Sequence, residues 1–282
     1  MYSLKVQNLK GEVLNFAGNT NYDILKIDGL TPPPSTLNFS ELANYDGSIY
    51  NSGQLQNRNL VLTIKVYNDV EKNRIELYKY FQLKKQIRIY YENNTRKVYI
   101  DGYVETFEAD LFVMNETVQI SIICPDPHWK EDVETYISFS NVIDLFEFPF
   151  AIEEAGIEFS RIENITTSLI DNGEIETGIT IEFVANANQI LNPRFINRTT
   201  QEFFGVNFDM NEGDVIRINT RRGKKSVVLI RGGVETNILN DMQSGSKWVQ
   251  LAPGQNELSY ECDEGQTNLT VHVHSTKRYE GV

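Results

Sequence analysis

The hexapeptide Cys124-Pro125-Asp126-Pro127-His128-Trp129 divides the chain, and the rest of the sequence is best interpreted on either side of it. It follows residues 118–123, where apolar and polar side chains alternate as in a half-buried strand. Neither proline can donate to a sheet ladder, and each disfavours helix in the residue before it. The sequence therefore predicts a stiff, extended exit from a strand, anchored by Trp129, that serves as a joint between two domains.

The length supports this division. A chain of 282 residues fits two domains better than one core. We place the boundary at the hexapeptide, with domains at 1–129 and 130–282. The only two cysteines, Cys124 and Cys262, lie far apart and indicate a reducing compartment without a disulfide framework. We also expect no secretory signal and no membrane span, because there is no apolar run of about 18 residues.

The net charge of −13 is concentrated in one segment. Residues 131–184 contain one basic side chain, Arg161, against 13 acidic ones, whereas the parts before and after are close to neutral. This segment is either a solvated face or a negative surface for a basic partner or for cations. Binding of nucleic acid by this protein is disfavoured, because phosphate contacts require a basic surface.

The part before the hexapeptide contains short strands and one helix. Segment 38–57 is polar and rich in turn residues, which indicates a projecting loop or arm. Apolar residues at helical spacing predict a helix over 69–85, with Asn68 as its cap and Glu71 completing a capping pair. The alternating pattern in 86–123 predicts a three-stranded antiparallel meander. A helix covering one face of such a sheet is a stable arrangement.

The part after the hexapeptide shows no helical pattern. From Asn192 onward, short alternating segments recur at intervals of about ten residues, separated by turns rich in Gly and Asn. This spacing is typical of a β-sandwich. The predicted fold class of the whole chain is therefore mainly β, with one helix in the first domain.

Candidate chemical sites are few. His272 and His274 share one face of a strand and could bind a metal, but no third ligand is indicated and an ordinary exposed face is favoured. Segment 209–214 resembles the start of a calcium loop, but Thr220 stands where an EF-hand requires Glu, which favours a plain turn. The sequence predicts no catalytic residue, no cofactor and no metal site.

Four basic residues cluster in one predicted turn. Arg221, Arg222, Lys224 and Lys225 surround Gly223 at the tip of a hairpin. They form either a solvated turn or a surface for an anionic partner, such as the acidic segment 131–184 of a neighbouring subunit.

Several of these features, taken in order, resemble one protein family. They are the turn that begins at Gly29, the strand, helix and meander of 58–123, the hexapeptide itself, Asn192-Pro193, segment 246–251 and Pro253-Gly254-Gln255-Asn256. None is a chemical motif, but their order resembles the distal tail protein (Dit) family of long-tailed bacteriophages, the hubs of siphophage-type tail tips. The resemblance covers nearly the whole chain.

The resemblance implies a fold and a role. The first domain would be a β-sandwich-like, ring-forming domain with one α-helix, and the second a galectin-like β-sandwich. Six copies would form a homo-hexameric ring that continues the tail tube. The ring would join the major tail tube protein to the tail-tip or tail-associated lysin protein and to receptor-binding or baseplate proteins. Such a protein is not an enzyme; it belongs to the tail tip of the virion and is assembled in the host cytoplasm.

Two other classes of function remain open. The galectin likeness raises carbohydrate binding for attachment to the host wall, but Trp248 is followed by Val249 and Gln250, unlike the galectin pattern. This favours Trp248 as a buried core residue. A wall-degrading enzyme is disfavoured by the three histidines and by the lack of a recognisable nucleophile.

Overall fold

The computed structural model describes residues 2–44, 46–113, 116–140, 142–144, 160–162 and 166–282, with only the strand backbone described in 142–144 and 160–162. Within these residues the chain forms one α-helix, two short 3-10 helices and 27 β-strands.

The elements up to residue 132 are β1 (Ser3–Gln7), β2 (Val13–Asn15), β3 (Tyr22–Asp28), β4 (Ser35–Glu41), β5 (Ser48–Leu55), β6 (Arg58–Val66), α1 (Val70–Tyr80), β7 (Gln86–Glu92), β8 (Lys97–Ala109), β9 (Thr117–Cys124) and β10 (Trp129–Glu131). The strands that follow are β11 (Thr135–Ser140), β12 (Val142–Asp144), β13 (Ser160–Ile162), β14 (Thr167–Asp171), β15 (Thr177–Gly178), β16 (Thr180–Ala185), β17 (Ile190–Leu191), β18 (Arg194–Asn197), β19 (Glu202–Gly205), β20 (Asp209–Met210), β21 (Val215–Asn219), β22 (Ser226–Arg231), β23 (Val234–Asn237), β24 (Gln250–Leu251), β25 (Gly254–Glu261), β26 (Leu269–Ser275) and β27 (Arg278–Tyr279), with 3-10 helices at Leu239–Asp241 and Gln266–Asn268.

The chain divides into two compact units. Unit 1 comprises residues 1–132 together with 278–282, and unit 2 comprises 133–277. The sequence placed the boundary after Trp129 and assigned everything beyond it to the second domain. The structure differs at both ends, because β10 pairs with β8 and β27 pairs with β10, which joins 130–132 and 278–282 to unit 1.

Unit 1 is built on one antiparallel sheet. Its strands run in the order β2-β1-β7-β8-β9-β6-β3, with β10 and β27 attached beside β8. Alternate side chains such as Leu60, Leu62 and Ile64 of β6 are buried in its core, because successive side chains of a strand point to opposite faces. The meander predicted from sequence is confirmed as β7, β8 and β9. Its strands belong to a single hydrogen-bonded sheet.

The helix is confirmed but shorter than the predicted 69–85. It ends at Tyr80, because Lys84 and Lys85 exchange backbone hydrogen bonds with Val104 of β8 instead of continuing the helix. The predicted cap is wrong: Asp69 occupies the cap position, and the Asn68 side chain donates to the backbone of the β2–β3 connection. None of the helices in the described residues is long and apolar enough to cross a membrane.

Unit 2 is a β-sandwich, as the sequence predicted. A six-stranded sheet has the order β11-β26-β16-β21-β22-β23, and a four-stranded sheet has the order β14-β25-β18-β19. Buried side chains of both sheets form one core. Across it, Phe139 of β11 and Tyr260 of β25 have ring centroids 5.6 Å apart. The likeness of this sandwich to galectins stays a prediction.

The predicted arm is a two-stranded hairpin. β4 and β5 pair only with each other, and all their residues except the half-buried Leu55 are exposed. We call residues 35–55 the arm. It begins a few residues beyond Gly29, whose backbone lies against Asn59.

Gly29 provides a test of this close approach. Its φ is +89°, and a Cβ there would lie 2.1 Å from the backbone oxygen of Asn59. We expect Gly29→Ala to destabilise unit 1 by about 2–5 kcal/mol, because backbone strain adds to overpacking. The measurement is urea unfolding followed by Trp129 fluorescence in a Trp248→Phe background, since these are the only two tryptophans.

The matched control is Gly18→Ala. Gly18 also has a positive φ, of +70°, but an added Cβ would meet nothing within 4 Å. Only the strain of about 1–2 kcal/mol should then appear. Equal losses in the two variants would contradict the importance of this contact.

Candidate functional site

The structural centre of unit 1 is the guanidinium of Arg58, which begins β6 and is fully buried. Its Nε donates to the Pro127 carbonyl at 2.6 Å, and its Nη1 donates to the carbonyls of Thr31, at 2.6 Å, and Gly29. Its Nη2 donates to the carbonyl of Glu280. We call these four acceptors the carbonyl cage. Each belongs to the backbone, so the charge is stabilised by peptide dipoles.

Neighbouring side chains shield the cage from solvent. The Arg58 guanidinium lies 5.7 Å from the ring centroid of the buried Trp129, within the range of a cation–π interaction. Burial lowers the pKa of Arg58, but a guanidinium starts so high that it stays charged. Burial also raises the pKa of the neighbouring Cys124 to about 12, so this thiol stays protonated and unreactive at neutral pH.

The six residues predicted as the domain joint all lie within unit 1. Cys124 and Trp129 are buried, and Trp129 packs against Tyr91 with ring centroids 6.1 Å apart, as expected of an anchor. Pro127 contributes a carbonyl to the cage. The chain leaves unit 1 after Asp132, three residues beyond Trp129. The hexapeptide therefore belongs to unit 1 and precedes the point at which the chain passes into unit 2.

Asp126 is the polar centre of the hexapeptide. It accepts a hydrogen bond from Nη2 of Arg278 at 2.6 Å, and the Nζ of Lys130 lies 3.0 Å away. Nδ1 of His128 lies 3.3 Å from the same carboxylate. Burial alone would raise the pKa of Asp126, but the His128 hydrogen bond and the charges of Lys130 and Arg278 outweigh it and hold the pKa well below its usual range. The carboxylate stays ionised and acts as a structural tie.

Segment 278–282 contacts the rest of unit 1 along its length. The sequence did not predict that this segment belongs to the first unit. Tyr279 pairs with Trp129 in the β10–β27 ladder. The guanidinium of Arg96 lies 4.3 Å from the Tyr279 ring centroid and donates to the Gly281 carbonyl. The Val282 N–H donates to the Leu30 carbonyl at 3.3 Å. A two-residue strand whose partner lies in a distant part of the chain has no periodic pattern that could have predicted it.

The structure separates the four residues of the basic turn, which lies between β21 and β22. Arg221 forms an ion pair with Glu134 of the same chain, and Lys225 extends over the ring of Trp248, 5.2 Å from its centroid. Arg222 and Lys224 are exposed. Glu134 belongs to the acidic segment 131–184, of which residues 141, 145–159 and 163–165 lie outside the described residues. The role of the turn as a partner surface stays a prediction.

Trp248 differs from its prediction as a buried residue. It is half-buried, with one side against Phe204 at a centroid distance of 4.9 Å. It lines an open cleft of about 460 Å³, together with Glu176, Thr200, Glu202, Lys225, Ser246, Lys247, Gln250 and Ala252. Of residues 248–251, only Val249 and Leu251 are buried in the core.

The other candidate ligands have partners within the protein. The Tyr136 hydroxyl lies 2.7 Å from Nδ1 of His272, and Nδ1 of His274 lies 3.5 Å from Glu134. In the 209–214 turn, Asp214 accepts two hydrogen bonds from Arg231, at 2.8 and 2.6 Å, and these lower its pKa. Among the described residues no group of three or more potential metal ligands lies together.

Two family models match the chain, one in each half. Residues 10–124 match a phage tail protein RIFT-related domain, and residues 172–279 match the C-terminal domain of a siphovirus-type tail component. A comparison with curated proteins gave no match.

Solved structures share the fold over its full length. The crystal structure of Dit from phage SPP1 matches with a TM-score of 0.69 and 14% identity over 99% of both chains. A chain of the phage P2 baseplate, in its activated conformation with calcium, matches with a TM-score of 0.56 and 14% identity over 100% of both chains. The two units thus define a tail component of long-tailed phages. The chain belongs to the distal tail protein family of siphophages, which confirms the resemblance predicted from sequence.

The carbonyl cage can be tested by Arg58→Lys. Lysine keeps the charge but places its donors on one nitrogen, which cannot reach four carbonyls in different directions. We expect unit 1 to lose about 2–5 kcal/mol, because buried carbonyls are left unpaired. The measurement is urea unfolding followed by Trp129 fluorescence in the Trp248→Phe background.

Arg88→Lys is the matched control, since Arg88 pairs with Asp101 at the partly exposed surface of the same sheet. It should cost less than about 1 kcal/mol. If Arg58→Lys is as mild as this control, the cage does not hold unit 1 together.

Proposed function

We propose that this protein is the structural hub of a siphophage tail tip, in which six copies form a ring that continues the tail tube. Family membership supports the hub role. The SPP1 protein is described as a paradigm of the hub adsorption apparatus of phages that infect Gram-positive bacteria, and the P2 chain comes from a baseplate. Both share the fold of this chain along its whole length.

The observation that carries the ring proposal is the arm. Leu37, Phe39 and Tyr50 are exposed apolar side chains on one face of the arm, and the rings of Phe39 and Tyr50 pack edge to face with centroids 6.0 Å apart. An isolated two-stranded hairpin is only marginally stable in water, and a contiguous apolar patch marks an interaction site. A neighbouring copy in a ring would cover these side chains.

The hub would act through surfaces and without catalysis. On the ring axis it would contact the major tail tube protein on one side and the tail-tip or tail-associated lysin protein on the other. Receptor-binding or baseplate proteins would attach around it, with the sandwich of unit 2, galectin-like in this proposal, as the outer decoration. Assembly would take place in the host cytoplasm before the tail joins the virion.

The arm variant Phe39→Ser/Tyr50→Ser tests the ring. We expect mass photometry to show hexamers for the unmodified protein and smaller species for the double variant, because the apolar contact is lost. Both side chains are exposed, so circular dichroism should be unchanged.

Gln54→Ser is the control, an exposed polar change on the same arm that should leave the hexamer intact. Hexamers that survive the double variant would exclude the arm as the ring contact. A protein that stays monomeric at every concentration would refute the ring itself.

A second candidate function is carbohydrate binding, which the cleft beside Trp248 favours. Its half-buried indole is flanked by acidic, basic and amide side chains, including Glu202, Lys247 and Gln250. An aromatic surface with nearby hydrogen-bonding groups suits the apolar face and the hydroxyls of a sugar. The ligand would be a polysaccharide of the host wall.

Titration with purified wall polysaccharide tests this second candidate. Glu202→Gln should weaken binding several-fold, because Glu202 lies in the cleft and forms an ion pair with Lys247 at 3.4 Å. Glu212→Gln, an exposed acid outside the cleft, should have no effect. The absence of binding to any wall fraction, or equal effects of the two variants, would rule out this cleft as a sugar site.

A further inference from the structure

The cleft beside Trp248 adjoins the basic turn between β21 and β22. Lys225 belongs to both, because it lines the cleft and its ammonium lies 5.2 Å from the indole centroid. Gln250, another lining residue, donates through Nε2 to the carbonyl of Thr220, the residue just before the turn, at 3.2 Å. The cleft and the turn therefore form one continuous surface of unit 2.

The turn brings unpaired positive charge to this surface. Arg222, Lys224 and Lys225 are exposed, and in the part of the chain that the structure describes none of them forms an ion pair with a carboxylate. The whole protein has 39 acidic and 26 basic side chains, so acidic partners are plentiful elsewhere. Three neighbouring cations that remain unpaired attract anionic ligands to the cleft.

The acidic residues of the cleft do not cancel this charge. Glu202 is already paired with Lys247, another lining residue, at 3.4 Å. Glu176 is the one other acid among the lining residues, and it is exposed. The surface thus has three unpaired cations against one unpaired acid, which favours a negatively charged ligand.

The contact between Lys225 and the indole is easily exchanged. A cation–π interaction at an exposed site is weak, and the flexible stem of lysine lets the ammonium move. An anionic group of a ligand can bind the ammonium through a charge-assisted hydrogen bond. The indole face of Trp248 is then free for the apolar face of a sugar ring.

We propose that the cleft beside Trp248 binds a saccharide that carries anionic groups, either carboxylates or phosphates. The sugar ring stacks on Trp248, its hydroxyls contact Glu202, and its anionic group pairs with Lys225. Further anionic groups of a polymer pair with the rest of the basic turn. This inference rests on the proposed carbohydrate function and names the chemical class of its ligand.

Calorimetric titration of the full chain with host-wall polysaccharide tests the ligand class. Anion exchange first separates the polysaccharide into a neutral and an acidic fraction. We expect the acidic fraction to bind at least tenfold more tightly, with an affinity that falls as salt is added, because salt screens exposed charges. Reduction of the carboxylates in one portion, and cleavage of phosphodiesters with hydrofluoric acid in another, shows which anionic group is recognised.

Lys225→Met tests the cation of the cleft, because methionine keeps an apolar stem without the charge. We expect the affinity for the acidic fraction to fall about fivefold, as for the loss of one exposed charge contact, and the affinity for the neutral fraction to stay unchanged. The matched control is Lys10→Met, at an exposed lysine of unit 1, which should change neither affinity. Lys225 is exposed, so circular dichroism should be unaltered.

The outcomes separate the ligand class from carbohydrate binding itself. Preferred binding of the acidic fraction that weakens in Lys225→Met supports both. Equal binding of the two fractions, or no effect of Lys225→Met, overturns the anionic ligand and leaves carbohydrate binding standing. Poly-L-glutamate that binds as tightly as the acidic fraction overturns the saccharide in favour of an acidic polypeptide. Binding to no fraction overturns both.

Discussion

The buried charge of Arg58 is the constraint on which unit 1 depends. Transfer of a cation from water into a protein core costs several kcal/mol unless its donors are satisfied. Here they are satisfied by four carbonyls from the loop after β3, the hexapeptide and segment 278–282. All hydrogen bonds of the buried guanidinium are formed only when these three segments are in place. Arg58 therefore couples distant regions of the chain, from both ends of the sequence, into one fold.

This closure also fixes the place of unit 2 in the chain. With the hexapeptide and segment 278–282 both bound to unit 1, unit 2 is an insertion with its own core between residues 132 and 278. The carboxylates of Asp126 and Asp214 are each held by an arginine, Arg278 and Arg231 respectively. The described surfaces also include the exposed arm, the basic turn and the cleft beside Trp248. A hub that works by contact requires such elements.

Local pattern predicted most of the strands because period-two burial is a property of neighbouring residues. The meander, the sandwich and the arm were recovered in this way. Predictions failed where distant contacts decided the outcome. Backbone pairing with Val104 ended the helix early, and Trp248 lies at a cleft although its neighbours Val249 and Leu251 are in the core. The basic turn was recognised, but the ion pair of Arg221 with Glu134 was not.

The sequence by itself determined the mainly β class, the two-part organisation, the single helix and, through the order of its turns, the protein family. Alternation, turn residues and proline act over a few positions and can be seen in the sequence. Only the tertiary structure decided that Arg58 has a carbonyl cage and that segment 278–282 belongs to unit 1. Both features depend on contacts between segments that are distant in the sequence, and a local periodic pattern does not encode such contacts.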